Sequence, residues 1–329
     1  MNTLICLNSH YSTTRLVTKE IPNMTKDSMS KVQTQLFLPQ NLHRKGEGGL
    51  RSEGYFKKSC VGKPLVTIIT VALNGVNYIE KTMKSVINQT YDNVEYVVID
   101  GGSTDGTLDI VKKYKDSITY WISEPDDGIS DAFNKGISLS AGDIIGILSA
   151  GDWYETDTIA QVVSHFSTGK ADIVHGMSQY WDSSAKKTHL ICANHDLLHR
   201  EMTVCHLTVF ALRKCYTSIG LFRREFRYAM DYEWLLRAKV SGMTFLYINR
   251  CLAHSREGGI SDRKWRSALW EVAQAKSIHF HGRINHLLYF VYQVIKGTVR
   301  RYLDHIGLQF ITRFYHTRYS LTKKTRSID

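Results

Sequence analysis

Four residues of this 329-residue chain could do chemistry together: Asn74, Asp100, Asp152 and Asp231. Three of them follow apolar, β-branched runs. Leu65-Val66-Thr67-Ile68-Ile69-Thr70-Val71 leads to Asn74, and Val94-Glu95-Tyr96-Val97-Val98-Ile99 ends in Asp100. Ile144-Ile145-Gly146-Ile147-Leu148 leads through Ser149-Ala150-Gly151 to Asp152. Ligands of open α/β sheets bind beyond the carboxyl ends of the strands. Asn and Asp at three such tips therefore suggest a polar site for a nucleotide and a divalent metal. Asp152 can coordinate Mg2+ or Mn2+, which prefer oxygen ligands and bridge substrate phosphates. It can also be a turn residue capping the helix after Trp153. Asp100 can accept a hydrogen bond from a nucleobase or ribose, although Asp100-Gly101-Gly102 also reads as turn chemistry with Ser103 or Thr104 as a cap. Asp231 stands at the start of a helix, where the dipole alone favours an acid. Its functional alternative is a general base aimed at an acceptor hydroxyl. His206, His254 and the Glu257-Gly258-Gly259-Ile260-Ser261 turn are further pocket candidates.

The elements that position these residues alternate. Helical spacing is present in Tyr78–Ile87, in Leu108–Tyr114 and in Ile129–Ser140, which carries Asp131, Asn134 and Lys135 on one side. Ile118–Ile122 reads as a strand. Strand–helix alternation with short connections implies a largely parallel sheet with crossover helices. Beyond it, Ala171–Gly176 and His206–Phe210 read as strands. Asp231–Lys239 reads as a helix with Trp234, Leu235 and Ala238 on one side. An amphipathic helix begins at Trp265, and a second runs from Ile284 to Phe310 with its apolar positions in one stripe.

Charge divides the chain. Residues 1–64 carry a net +6, residues 65–261 a net −4, and residues 262–329 a net +9. Basic flanks favour an anionic surface, either acidic lipid or nucleic acid. Six scattered cysteines without a CxxC pair fit free thiols in a reducing cytosol. No signal peptide is read at the N-terminus, and no run approaches the roughly 18 apolar residues of a membrane span. The expected division is an irregular arm over 1–63, a catalytic domain over 64–261 and a basic helical extension over 262–329.

As a set, these motifs resemble the family 2 glycosyltransferases, in particular the bacterial branch that builds surface polysaccharides. The matching residues include Val66–Asn74, Ser85–Tyr91, Val98–Thr107, Ser123–Gly136, Leu148–Asp152, Met230–Glu233 and Glu257–Ser261. The resemblance implies the GT-A fold, a Rossmann-like α/β domain that binds a nucleotide-diphosphate sugar and inverts the anomeric carbon. By position it implies that Thr70, Ala72 and Asn74 line the nucleotide pocket and that Asp100 contacts the base, uracil being expected and guanine the alternative. Asp127, Asp131 and Lys135 would border the ribose and diphosphate, Asp152 would hold the metal, and Asp231 would be the base. The family often carries two adjacent aspartates at the metal; here the first is Gly151, which implies weaker metal binding. The acceptor would be a glycan or a polyprenyl-linked glycan. The enzyme would be cytoplasmic, peripheral on the inner face of the membrane through its C-terminal helices. Two rival classes remain at this stage, a metal-dependent nucleotidyltransferase and a basic nucleic-acid-binding protein. The first strand leads to Ala72-Leu73-Asn74-Gly75 without a nearby basic residue, which counts against the former. Flank charge alone is weak support for the latter, and no nucleic-acid partner is expected.

Overall fold

The structure is a computed structural model that describes residues 4–24, 30–308, 310 and 323–324. Parts of the arm (1–3, 25–29) and of the basic extension (309, 311–322, 325–329) lie outside the described residues.

Short arm strands β1 (Val17–Thr18), β2 (Gly46–Gly48) and β3 (Phe56–Lys57) precede the first long one, β4 (Val66–Ala72). Then follow α1 (Ile79–Ile87), β5 (Val94–Asp100), α2 (Thr107–Lys113), β6 (Tyr120–Ser123), α3 (Ile129–Ser138) and β7 (Ile144–Ser149). These elements are those the spacing predicts. β4, β5 and β7 are rich in β-branched residues, and every residue of β4 and β5 is buried, as expected of parallel strands covered on both faces. Side chains alternate between two cores. Ile69 and Val71 join one with Phe133 and Trp234. Val66, Ile68 and Ala72 join the other with Met83 and Val86. α3 lies so close to the sheet that a Cβ on Gly136 would fall 2.3 Å from Ile69 Cγ2.

β4 pairs in parallel with both β5 and β7, and β5 with β6. The register sets Ala72 beside Asp100, Asp100 beside Ser123, and Val71 beside Ser149. The chain moves outward from β4 to β6 and then returns to β7 on the other side of β4. The tips of β4 and β7 therefore form a topological switch point, where such sheets open a crevice.

The second half is mixed rather than parallel. It comprises β8 (Trp153–Tyr154), α4 (Thr158–Phe166), β9 (Ile173–Trp181), β10 (Lys187–Ile191), β11 (Phe210–Leu212), α5 (Arg213–Ile219), α6 (Met230–Val240) and β12 (Phe245–Arg256). β11 runs antiparallel to β7 and β9, while β12 runs parallel to β9 and antiparallel to β8. Three expectations need correction. His206–Thr208 is a 3₁₀ turn, not the start of a strand, because Thr208 donates its hydroxyl to Gly176 O and Cys205 O and so closes a turn. α6 is buried on nearly every side rather than on one, with Glu233 fully enclosed and neutralised by Arg237 at 3.0 Å. The last long helix ends at His305, short of Phe310, because Gly307 takes a left-handed φ of 83°.

After a short turn, α7 (Ile260–Arg263), come α8 (Trp265–His279) and α9 (Arg283–His305). A final strand, β13 (Lys323–Lys324), pairs with β10. The arm is mostly irregular, yet it is woven into the parallel half of the sheet. β2 adds an antiparallel edge to β6. Arg51, 2% exposed, pairs with Glu95 at 2.7 Å and donates to Leu36 O and Leu139 O. Lys57 is buried among Ser12 O, Arg15 O and Asp92 O, and burial lowers its ammonium to about 7.

Candidate active site

Each tip is built by its own loop. Asn74 follows β4 in a left-handed conformation (φ 51°), which asparagine tolerates better than most residues. Its side chain accepts from Thr104 N at 2.9 Å, and its own N–H donates to Ser103 Oγ at 2.8 Å. Asp100 is fully buried. It accepts from Ser103 N at 3.0 Å, Ser123 Oγ at 2.5 Å and Ser103 Oγ. The carboxylate therefore anchors the β5 turn from within. Thr70 points into the sheet and accepts from Tyr96 Oη at 3.0 Å, so its side chain lies one layer below the tips. Ala72 lies at the tip itself, where its carbonyl accepts from Gly101 N at 2.8 Å. Gly101 admits no side chain, since a Cβ would fall 2.4 Å from Asp126 Oδ2.

The start of α3 carries a mixed charge cluster. Asp131 is buried, accepts from Asp127 N at 3.2 Å and pairs with Arg224 at 2.5 Å. Asp127 is exposed and lies 3.7 Å from Arg224. Lys135 bridges Glu124 at 2.9 Å and Asp131 at 3.6 Å. Burial pushes Asp126 upward, with the charges of Asp131 and Asp100 adding to it. A cavity of about 430 Å³ opens beside Lys135 and Glu124, roofed by arm residues Leu38, Pro39, Asn41 and His43.

Asp152 follows β7, on the other side of the β4 tip, and Asp231 opens α6. Asp152 itself is half-buried. Burial pushes its carboxyl up to about 7 while a hydrogen bond from Ser255 opposes this. It does not cap a helix, for α4 starts only at Thr158, with Asp157 at the cap position. Asp231 occupies the first turn of α6. Burial raises it to about 6 against the N–H groups of Tyr232 and Asp231. The thiol of Cys205 reports on both: burial, with the charges of Asp152 and Asp231 adding to it, pushes it up to about 11 against hydrogen bonds from Ser178 and Tyr180. Adjacent strands lie about 4.8 Å apart, so the tips of β5 and β7 on either side of β4 stand roughly 10 Å apart.

Two devices aim α6. Asn134 of α3 donates to Phe222 O at 2.8 Å and accepts from Phe222 N at 2.9 Å, clamping the loop that carries Arg224. Glu271 of α8 accepts from Arg227 N, Tyr228 N and Ala229 N at 3.0, 2.7 and 2.8 Å. A residue of the C-terminal extension thus fixes the backbone two residues before Asp231. Neither Glu271 nor the arm's share of the site is found by the sequence reading. The only signal for Glu271 is a lone acid on a helix forty residues downstream.

The histidines stay apart. His206 stacks on Phe133 at 5.4 Å, and burial lowers it to about 4. His254 donates from Nε2 to Glu155 at 2.7 Å and accepts at Nδ1 from Trp181 at 3.1 Å. Potential ligand atoms of Glu155, Cys251 and His254 lie within 4.8 Å of one another, but both ring nitrogens of His254 are already engaged. Asp152 fits a divalent cation better. It is a half-buried carboxylate at a strand tip with a single opposing hydrogen bond, and Mg2+-type ions commonly take one protein carboxylate plus substrate phosphates.

The model of glycosyl transferase family 2 matches residues 67–225. An uncharacterized glycosyltransferase of Mycobacterium tuberculosis is 32% identical over 181 residues, covering 53% of this chain and 69% of that protein. A PGL/p-HBAD biosynthesis glycosyltransferase of the same species is 28% identical over 209 residues, covering 60% and 80%. Among solved structures, the mannosyltransferase PcManGT of Pyrobaculum calidifontis, in complex with GDP-Man and Mn2+, superposes with a TM-score of 0.54 at 19% identity, covering 69% and 70%. S. aureus TarS with UDP-GlcNAc gives 0.51 at 14% identity, covering 73% of each chain. The chain belongs to glycosyl transferase family 2. Its fold is that of the GT-A glycosyltransferases, and the nucleotidyltransferase and nucleic-acid-binding alternatives are set aside.

Proposed function

We propose that this glycosyltransferase inverts the anomeric carbon as it moves a sugar from a nucleotide diphosphate, UDP in the first instance, to a lipid-linked glycan of the bacterial surface. The observation that carries the reading is the switch point at the tips of β4 and β7, where Ala72 stands level with Asp100 and Asp152 follows β7. The nucleotide lies over Ala72, Asn74 and the turn that Asp100 anchors, with Asp127, Asp131 and Lys135 along its ribose and diphosphate. Asp152 would hold Mg2+ or Mn2+, which would supply Lewis-acid stabilisation of the departing diphosphate. Asp231 accepts the proton of the acceptor hydroxyl as that oxygen attacks from the face opposite the leaving group. Glu271 and Asn134 hold the loop that orients Asp231. The test is a screen of nucleotide sugars for hydrolysis and thermal stabilisation, with and without Mn2+. UDP-sugars are expected to stabilise the chain most, and indifference to every nucleotide sugar overturns the reading.

Asp231 must be ionised to accept a proton. With its carboxyl raised by burial to about 6, kcat/KM is expected to rise with pH from 5 and level off above about 7. A profile flat over that range removes Asp231 from this role.

The acceptor's lipid is the reason to look at α9. Among the described residues no helix is long and apolar enough to cross a membrane. α9 packs Phe290 on Trp270 at 5.3 Å and Gly297 against Trp265. It turns Ile284, Leu288, Ile295 and Tyr302 away, 75, 62, 59 and 64% exposed. An outward apolar stripe flanked by Lys296, Arg300 and Arg301 suits the interface of an acidic bilayer. Leu288→Ser/Ile295→Ser/Tyr302→Ser is expected to abolish flotation with phosphatidylglycerol liposomes while hydrolysis of the nucleotide sugar persists. Unchanged flotation refutes this role.

A further inference from the structure

Glu155 follows β8, and β12 runs antiparallel beside that strand, with His254 level with Trp153 and Ala253 with Tyr154. Glu155 N donates to Leu252 O at 3.1 Å, which holds the two chains together one residue further on. A residue and its third neighbour lie on opposite faces of a regular strand, so Cys251 and His254 would point apart. β12 is not regular there. Cys251 stands level with Met177 of β9, and Ala253 with the very next residue, Ser178. That bulge supplies the extra residue that turns Cys251 to the side of His254. Ligand atoms of Glu155, Cys251 and His254 consequently lie within 4.8 Å of one another. Ser255, the next residue along, turns to Asp152 instead, so the cluster and Asp152 lie on opposite sides of β12.

The three groups suit a borderline-soft ion rather than Mg2+. A thiolate, an imidazole and a carboxylate are the ligand types of Zn2+, which takes three from the protein with water in the fourth place. Tetrahedral bonds of about 2.0–2.3 Å set such ligands roughly 3.3–3.6 Å apart. His254 Nε2 and Glu155 Oε1, at 2.7 Å, need open only slightly, and Glu155 can give way because its side chain is 46% exposed. The same exposure gives an ion its way in. The hydrogen bond between these two atoms does not close the site, since an ion takes the place of the proton they share. Burial, helped by Lys81 and Lys187 and opposed by Glu155, holds His254 below the ordinary histidine range. The ring is therefore neutral, as a ligand must be. Burial and then the charge of Glu155 push the Cys251 thiol up to about 11, so an incoming ion must expel its proton.

We propose that Glu155, Cys251 and His254 form a Zn2+ site that staples the end of β8 to β12. On binding, the Cys251 thiol gives its proton to solvent and the sulfur bonds to the ion. The ion replaces the proton on His254 Nε2 while Nδ1 takes one up, so the ring stays neutral and one proton leaves per ion. Nδ1 then no longer accepts from Trp181, whose half-buried indole N–H turns to water. Trp153 stacks on His254 at 5.1 Å and directly follows Asp152. Occupancy therefore stiffens the segment next to Asp152 without placing a second ion there. The site needs no nucleotide sugar and stands or falls apart from the glycosyl-transfer reading.

The test is titration of the full chain with Co2+, the spectroscopic stand-in for Zn2+, in excess Mg2+. One equivalent is expected to give a thiolate-to-cobalt charge-transfer band and the visible absorption of a four-coordinate ion, both erased by Zn2+. Zn2+ is also expected to alter tryptophan emission through Trp181. Cys251→Ser is expected to remove the charge-transfer band. Glu155→Gln, at its exposed position, is expected to weaken binding at least about tenfold, the lower end of the loss when even a supporting group of a metal site is removed. Asp152→Asn is expected to leave the band in place. A wild-type chain without the band, a band that survives Cys251→Ser, or one lost in Asp152→Asn overturns the proposal. Should Cys251→Ser fail to fold, Glu155→Gln decides, and unchanged cobalt affinity in that variant overturns the proposal equally.

Discussion

Asp231→Asn is expected to lower turnover by about 10²–10⁴-fold, the usual scale for a lost general base, while donor KM stays within a few fold. The asparagine is isosteric and can keep the local bond that Asp231 makes to Tyr232 N at 2.8 Å, so α6 should remain in place. In the proposed arrangement donor binding survives because Asp231 enters from α6, whereas the nucleotide would lie over β4, β5 and α3. Single-turnover kinetics with saturating donor checks this. Near-normal turnover would remove Asp231 from the role, and a large rise in donor KM would place it on the donor side instead.

The largest stability effect is expected at Arg51→Met. Its guanidinium and the carboxylate of Glu95 are both sealed from solvent. Glu95 also accepts from Thr67 Oγ1 at 2.5 Å and Ala141 N at 2.6 Å. Removing only the cation strands a buried carboxylate, which typically costs about 3–5 kcal/mol. Urea denaturation should show the loss, and Arg51→Met/Glu95→Gln should recover part of it because the charge goes too. A loss below about 1 kcal/mol would mean that water reaches the pair.

Much of the parallel half of the sheet is legible in the sequence because its signals are local. β4, β5 and β7 announce themselves as β-branched runs, and the register then brings Ala72 and Asp100 level and sets Val71 beside Ser149. The mixed second half is not legible in this way. β12 interrupts its apolar residues with Asn249 and Arg250 and pairs with β9 through register shifts, so no clean period of two appears. The anchoring of Asp100 by Ser123 depends on a strand twenty-three residues away. Glu271 binds three consecutive N–H groups over forty residues upstream, and nothing in the spacing of α8 marks it. The arm is polar, and its buried Arg51 finds Glu95 and Leu139 O only in the assembled catalytic sheet.

That arm also sets an order of assembly. Arg51 is synthesised early, but its partners Glu95 and Leu139 lie 44 and 88 residues further on. During translation the first sixty residues leave the ribosome before the surfaces that seat them exist. Contacts closed over such separations form late and slowly. A segment made before its partners is therefore among the last to settle, and until it does, the outer edge of β6 stays open to unwanted strand pairing.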